Sequence, residues 1–212
     1  MIAAADALAR LRDGNSRFVA GQLTDQALSK KQLRALAADQ APFAIILGCS
    51  DSRVPAELVF DQGFGDLFVI RVAGNIVAPS QVGSVEFAAA KFGTKLVVVM
   101  GHSQCGAITA AVEEILDGAT NESRNLRSIV DRVRPSVEGV IAGRRDVDRT
   151  TLIREAVRAN VRVSVDHLRH GSALLEKLVQ NDGLVIVGAK YSLDTGVVTF
   201  LDDAAASSSE RG

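Results

Sequence analysis

The stretch LVVVMGHSQC, Leu96 to Cys105, decides the architecture. Its leading apolar residues are rich in valine and too few for a buried helix, so they read as a strand covered on both faces. Gly101 and His102 end that strand, and Cys105 follows shortly after. Two similar runs precede it: Phe43 to Leu47 ends in Gly48 and Cys49, and Leu67 to Ile70 ends at Arg71. Between the second and third runs, Pro79 to Phe92 carries Val82, Val85 and Phe87 or Ala89 at helical spacing, after a turn-like Gly74-Asn75. Strand, crossover helix and strand imply parallel pairing.

Upstream lie two helical patterns, one with Leu8, Leu11, Phe18 and Val19, the other from Gln26 to Asp39 with Leu28, Leu33 and Leu36 on one face. Residues 1–39 therefore read as helical arms. Downstream, a helix is expected from Gly106 to Leu116, then a connector rich in Gly, Asn and Arg, interrupted at Pro135 and Gly143. Helices over Thr150 to Arg169 and Ser172 to Val179 lead to a strand at Leu184 to Val187. The turn Asp194-Thr195-Gly196 then returns Val197 to Phe200 as an edge strand. The fold class is α/β: a mostly parallel central sheet with an antiparallel edge strand, flanking helices and N-terminal helical arms. It forms a single domain over 1–212, with 203–212 as a frayed polar tail.

With 47% hydrophobic residues the chain can bury a core without cross-links. Its 24 Lys and Arg against 25 Asp and Glu leave no long-range field to recruit nucleic acid or acidic membranes, so a small-molecule partner is expected. The N-terminus lacks a basic start and Asp6 breaks its apolar stretch, which argues against a secretory signal. No apolar run approaches the roughly 20 residues of a membrane span. A cytoplasmic location follows, and in that reducing compartment two cysteines point to metal binding or catalysis at least as readily as to a disulfide.

In open parallel sheets, ligands bind outside the carboxyl ends of the strands. Both cysteines and one of the three histidines stand there. Taken singly, each cysteine reads as an ordinary buried thiol. Taken with His102, Cys49 and Cys105 form a soft and borderline donor set that suits zinc and disfavours magnesium or calcium. Three ligands leave a fourth position for water or a carboxylate, the mark of a catalytic site. Asp51, two residues beyond Cys49, can reach that position or orient a water beside it, and Arg53 offers a fork of donors to clamp the carboxylate. Read without the cysteine, Asp51 and Arg53 are a surface ion pair worth about 0 to 1 kcal/mol. Zinc lowers the pKa of water from about 15.7 toward about 7, enough for attack on an electrophilic carbon. No further titratable group stands by to protonate a leaving group, which favours a substrate without one.

At these residues the sequence resembles a β-class carbonic anhydrase, through CSDSRVPAE at Cys49 to Glu57 and GHSQCGAI at Gly101 to Ile108. The similarity extends from Gln40 through FGDLFVIRVAGN, Phe64 to Asn75, to VGAKYSLDTGVVTF, Val187 to Phe200. The resemblance implies one zinc ion per chain held by Cys49, His102 and Cys105, with Asp51 as a possible fourth ligand, and Asp51 and Arg53 as the catalytic dyad. It implies hydration of carbon dioxide to bicarbonate; a related carbon disulfide or carbonyl sulfide hydrolase on the same site is the alternative. It further implies helical arms exchanged in a homodimer or dimer of dimers, with the active site near the subunit interface. Gln40, Phe68 and Gly106 match substrate-side positions, and Phe87 stands where plant-like members place a tyrosine, so the pocket lacks that hydroxyl. Ile46 replaces the tryptophan of a bicarbonate-inhibited subgroup, although Arg71 and Tyr191 match its other pocket members.

Among the remaining features, His167 and His170 lie three apart on a helix and read first as solvated side chains. Gly63-Phe64-Gly65 precedes a strand instead of joining strand to helix, which argues against phosphate binding. Lys30-Lys31 and Arg144-Arg145 read as solvated faces.

Overall fold

A computed structural model of the chain describes residues 2–118, 123–142, 144 and 147–201. The tail at 203–212, and with it Gly143 and Arg145, lies outside the described residues. Helix α1 (Ala4–Val19) and α2 (Lys30–Ala38) come first. Strand β1 (Ala44–Gly48), the short α3 (Ala56–Val59), β2 (Leu67–Arg71), a single 3-10 turn (Ala73–Asn75), α4 (Pro79–Phe92) and β3 (Leu96–His102) follow. The chain continues as α5 (Gly106–Asp117), α6 (Arg124–Ile141), α7 (Arg149–His170), α8 (Ala173–Asn181), β4 (Val185–Tyr191) and β5 (Val198–Phe200).

The strands lie in the order β2-β1-β3-β4-β5, parallel except for the β4–β5 pair. Alternation along the strands sends side chains to two faces. Ala44, Ile46, Val98, Met100 and Ala189 meet Ala7 and Leu11 of α1 on one face. Ile45, Leu47, Val97, Val99 and Ile186 meet Val85 of α4, Val161 and Leu168 of α7, and Leu175 of α8 on the other. Burial on both sides explains why β1 and β3 read as unbroken apolar runs.

The two N-terminal helices differ. Helix α1 is docked: Asn15, only 6% exposed, donates from Nδ2 to the carbonyls of Val59 (3.0 Å) and Gly196 (2.9 Å) and accepts from the Val198 N–H (2.8 Å). Helix α2 carries a capping box at Ser29 and Gln32 yet buries none of its residues, leaving Leu33 half exposed.

Departures from the sequence expectation fall in α2, β4 and α6. Helix α2 starts at Lys30, capped by Ser29, and not at Gln26, so Leu28 lies ahead of it. Strand β4 extends beyond Val187 to Tyr191 because Gly188 pairs with Val99 in register and lets α7 approach; a Cβ there would lie 2.8 Å from Val161 Cγ1. Gly101 serves the same crossing, since its Cβ would stand 2.6 Å from Val161 Cγ2. The expected connector at Pro135 is instead α6, capped by Ser123 and running through the proline. Val130, Val133 and Val137 are buried in one cluster with residues of α5 and α7. At about 1.5 kcal/mol or more each, their burial exceeds the ~3 kcal/mol cost of an interior proline.

Candidate metal centre

Neighbouring strands β1 and β3 end side by side and deliver Cys49 and His102 to one place, while Cys105 arrives at the N-cap of α5. All three are buried, and their ligand atoms lie within 4.8 Å of one another. Among the described residues no other group of three or more such donors comes together.

The hydrogen bonds around these donors prepare them for a cation. The His102 Nδ1 faces the Ser103 carbonyl at 2.8 Å; a carbonyl only accepts, so Nδ1 is the donor of this bond and Nε2 is the ring atom turned toward the two sulfurs. That Nε2 is completely buried and has no hydrogen-bond partner. Such an orphan is costly unless something electrophilic meets it. The two thiols act on one another. A hydrogen bond from Cys105 lowers the Cys49 thiol well below its ordinary value, assisted by the Gly74 N–H, whereas Cys105 is pushed well up by that same bond and by burial. A thiophilic dication held by Cys49, His102 and Cys105 would favour the thiolate forms and satisfy the orphaned Nε2. The donor set therefore fits a thiophilic metal.

Asp51 and Arg53 stand beside the donors. Arg53 donates from Nε to Asp51 Oδ1 (2.9 Å) and from an Nη to Oδ2 (2.8 Å), and its backbone N–H reaches Oδ1 at 3.0 Å. These bonds, the side-chain ones first, hold the Asp51 carboxyl well below the usual carboxylate range. Asp51 Oδ2 lies 3.9 Å from His102 Nε2. Gly106 opens α5 immediately after Cys105, where first-turn N–H groups have no helical acceptor.

The supporting residues were harder to foresee. Arg71 reaches across from β2 to the carbonyls of Cys49 (2.9 Å) and Asp51 (2.6 Å), fixing the loop that begins at Cys49. The turn that offers Gly74 N–H to Cys49 is held by Asn160 Nδ2 on the Gly74 carbonyl (2.8 Å) and Ser164 Oγ on that of Asn75 (3.2 Å). Two buried polar residues four apart on α7 were the available signal.

Other named positions lie apart from the donors of this chain. Phe68 pairs with Ile45, four residues before Cys49 and so about 13 Å back along the strand. It packs with Phe87 and Phe92 on the α4 side, and Phe87 is 53% exposed. Gln40 precedes the amino end of β1, opposite the end where Cys49 sits. Ile46 is fully buried in the core, and Tyr191 packs against Phe18. Both His167 and His170 are exposed, His170 facing Asp166 at 3.7 Å. Phe64 is exposed between its glycines, Lys30-Lys31 lie exposed at the start of α2, and Arg144 pairs with Glu155.

The family model described as carbonic anhydrase matches residues 44–198, which span Cys49, His102 and Cys105. The chain belongs to the carbonic anhydrase family. Carbonic anhydrase 2 of Mycobacterium tuberculosis is 41% identical over 192 residues, covering 91% of this chain and 90% of that protein. A carbonic anhydrase of Mycolicibacterium smegmatis is 38% identical over 189 residues, 89% of this chain and 88% of the relative. In the solved β-carbonic anhydrase CafA of Aspergillus fumigatus, a chain shares 25% identity at a TM-score of 0.74, covering 93% of this chain and 90% of its own. One of two tetrameric β-carbonic anhydrases from Sordaria macrospora matches at 0.71 with 25% identity, over 80% of this chain and 85% of its own. The mostly parallel five-stranded sheet is thus the β-carbonic anhydrase fold, in agreement with the expectation from sequence.

Proposed function

We propose that this member of the family binds one zinc ion per chain and hydrates carbon dioxide reversibly to bicarbonate and a proton. The observation that carries the reading is the buried Cys49, His102 and Cys105 donor set, with its orphaned Nε2, beside an Asp51 carboxylate clamped by Arg53. When bound, zinc supplies a Lewis acid that makes water nucleophilic near neutral pH. Cys49, His102 and Cys105 hold it, and the thiolates partly offset its charge. Asp51, kept ionised by Arg53, accepts a hydrogen bond from the attacking water and orients it toward carbon. Arg53 fixes that carboxylate, and the Gly106 N–H at the start of α5 meets a substrate oxygen. Asp51 is also the carboxylate beside the donors that could serve as a further ligand to the metal, its Oδ2 lying 3.9 Å from His102 Nε2. The alternative, hydrolysis of carbon disulfide or carbonyl sulfide, draws no support from the relatives, which are carbonic anhydrases.

The same reading places Gln40, Phe68 and Phe87 in the substrate cleft of a partner subunit in a homodimer or dimer of dimers. Their distance from the donors of their own chain and the exposure of Phe87 and α2 support this. A cytoplasmic location agrees with two free thiols; among the described residues no helix is long and apolar enough to cross a membrane. Metal analysis and stopped-flow proton release above pH 8 test the function. About one zinc per chain and a rate far above buffer are expected; zinc-loaded protein with no rate above buffer refutes it.

A further inference from the structure

A cavity of about 480 Å³, with charged and hydroxyl side chains in its lining, opens behind the loop that joins His102 to Cys105. Ser103 and Gln104 of that loop form one wall, and Arg154 and Thr150 of α7 form another. Lys190 enters from β4. It shares strand parity with Ile186 and Gly188, so its side chain leaves the sheet on the face covered by α7. The register places it opposite Gly101, next to a metal ligand on the adjoining strand but on a cavity of its own.

The charges in this cavity do not cancel. Among the described residues neither Lys190 nor Arg154 forms an ion pair, and the Arg154 side chain donates to the neutral Thr151 hydroxyl at 3.3 Å. Arg158, one turn further along α7, adds a third cation to the field at Lys190. Burial first, then repulsion from Arg158 and Arg154, lowers the affinity of Lys190 for its proton. Asp194 is the carboxylate in the lining, and its Oδ1 accepts from Gln104 Nε2 at 3.3 Å. Cations thus outnumber the anion around a concave wall that also carries the hydroxyls of Thr109 and Ser192. Like charges held together in a cleft cost free energy that an anion recovers.

We propose that this cavity is an oxyanion site, distinct from the metal centre, which takes a dianionic phosphate through Lys190 and Arg154. The phosphate is free or is the head group of a small phosphomonoester. Arg154 offers the planar fork that suits two phosphate oxygens, and Lys190 offers a point charge. Ile153 supplies an apolar wall, and the volume exceeds the need of a bare oxyanion, leaving room for an organic body. Because Ser103 and Gln104 separate His102 from Cys105, an occupant touches the loop that positions two of the metal donors.

The test uses zinc-loaded full-length protein, with inorganic phosphate titrated at ionic strength held constant by chloride and binding read from phosphorus-31 line broadening. Saturable binding is expected. Lys190→Gln and Arg154→Gln should each weaken it about tenfold or more, the loss that follows from removing one charge-assisted hydrogen bond, while Lys190→Arg retains it. Phenyl phosphate binding more tightly than inorganic phosphate assigns the site to phosphomonoesters; equal binding assigns it to the free oxyanion. Absence of saturation, or saturation that survives both substitutions to glutamine and therefore occurs elsewhere, overturns the proposal.

Discussion

Replacing Asn15 by leucine removes the polar contacts by which α1 is tied to two distant parts of the chain. The change preserves approximate volume but strands the carbonyls of Val59 and Gly196 and the N–H of Val198. The bond to Val59 is fully buried, whereas the other two are partly buried and water can reach them after the change. At ~1 kcal/mol for each bond lost, and somewhat more where a buried group stays unpaired, the total is about 2 to 4 kcal/mol. For a chain of this size that corresponds to a fall in Tm of roughly 5 to 12 °C. Calorimetry at fixed protein concentration, with zinc saturating, measures it. Asn15→Asp is the informative companion. It keeps an acceptor for the Val198 N–H but turns an anion toward two carbonyls, so it should destabilise at least as much as leucine. A loss under 1 kcal/mol for leucine, or a wild-type Tm for aspartate, would show that these hydrogen bonds do not hold the helix.

Two further outcomes follow from other carboxylates. Burial alone would raise the Asp61 pKa, but hydrogen bonds from Arg17, Thr24 and Gln26 outweigh it and lower the value. Its stabilisation is therefore present above the ordinary carboxylate range near pH 4 and is lost as pH falls through the depressed folded value. Denaturant titrations should find Asp61→Asn less stable at pH 7 by about 1 to 3 kcal/mol, with the gap closing below pH 4; a gap that widens in acid contradicts this. Asp51→Asn leaves all three metal donors in place and so should retain near-stoichiometric zinc. Its carbon dioxide hydration should fall by about a hundredfold or more, and undiminished turnover in stopped-flow assays would remove Asp51 from the reaction.

The parts of the site that could be read from sequence are those fixed by short-range chemistry. Cys49 and His102 each terminate an apolar run, and a parallel sheet converts run ends into neighbours. Asp51 and Arg53 are two residues apart, so one loop suffices to join them. The illegible parts depend on what lies across the fold. Nothing local in Gly188 distinguishes a strand residue from a stop, since its purpose is the approach of Val161 from a distant helix. Pro135 argues for a break until the valines around it find α5 and α7. Asn160 and Ser164 look like unremarkable helix residues, and only the finished packing turns them toward the Gly74 turn. Likewise α2 has a clear amphipathic pattern, but a pattern cannot say which surface receives it.

The strand order has one more consequence. Residues 50–101, including β2 and α4, intervene between the first metal donor and the second, and β1 and β3 become neighbours only when that whole stretch has crossed over. A peptide carrying either motif alone offers one sulfur, or one sulfur and one imidazole, which is too few for a tetrahedral cage. Metal uptake at the proposed centre would thus record that the crossover has been completed. A bound ion would be an indicator of assembled topology, and chelation would act on a connection between strands far apart in the chain and not on a local clasp.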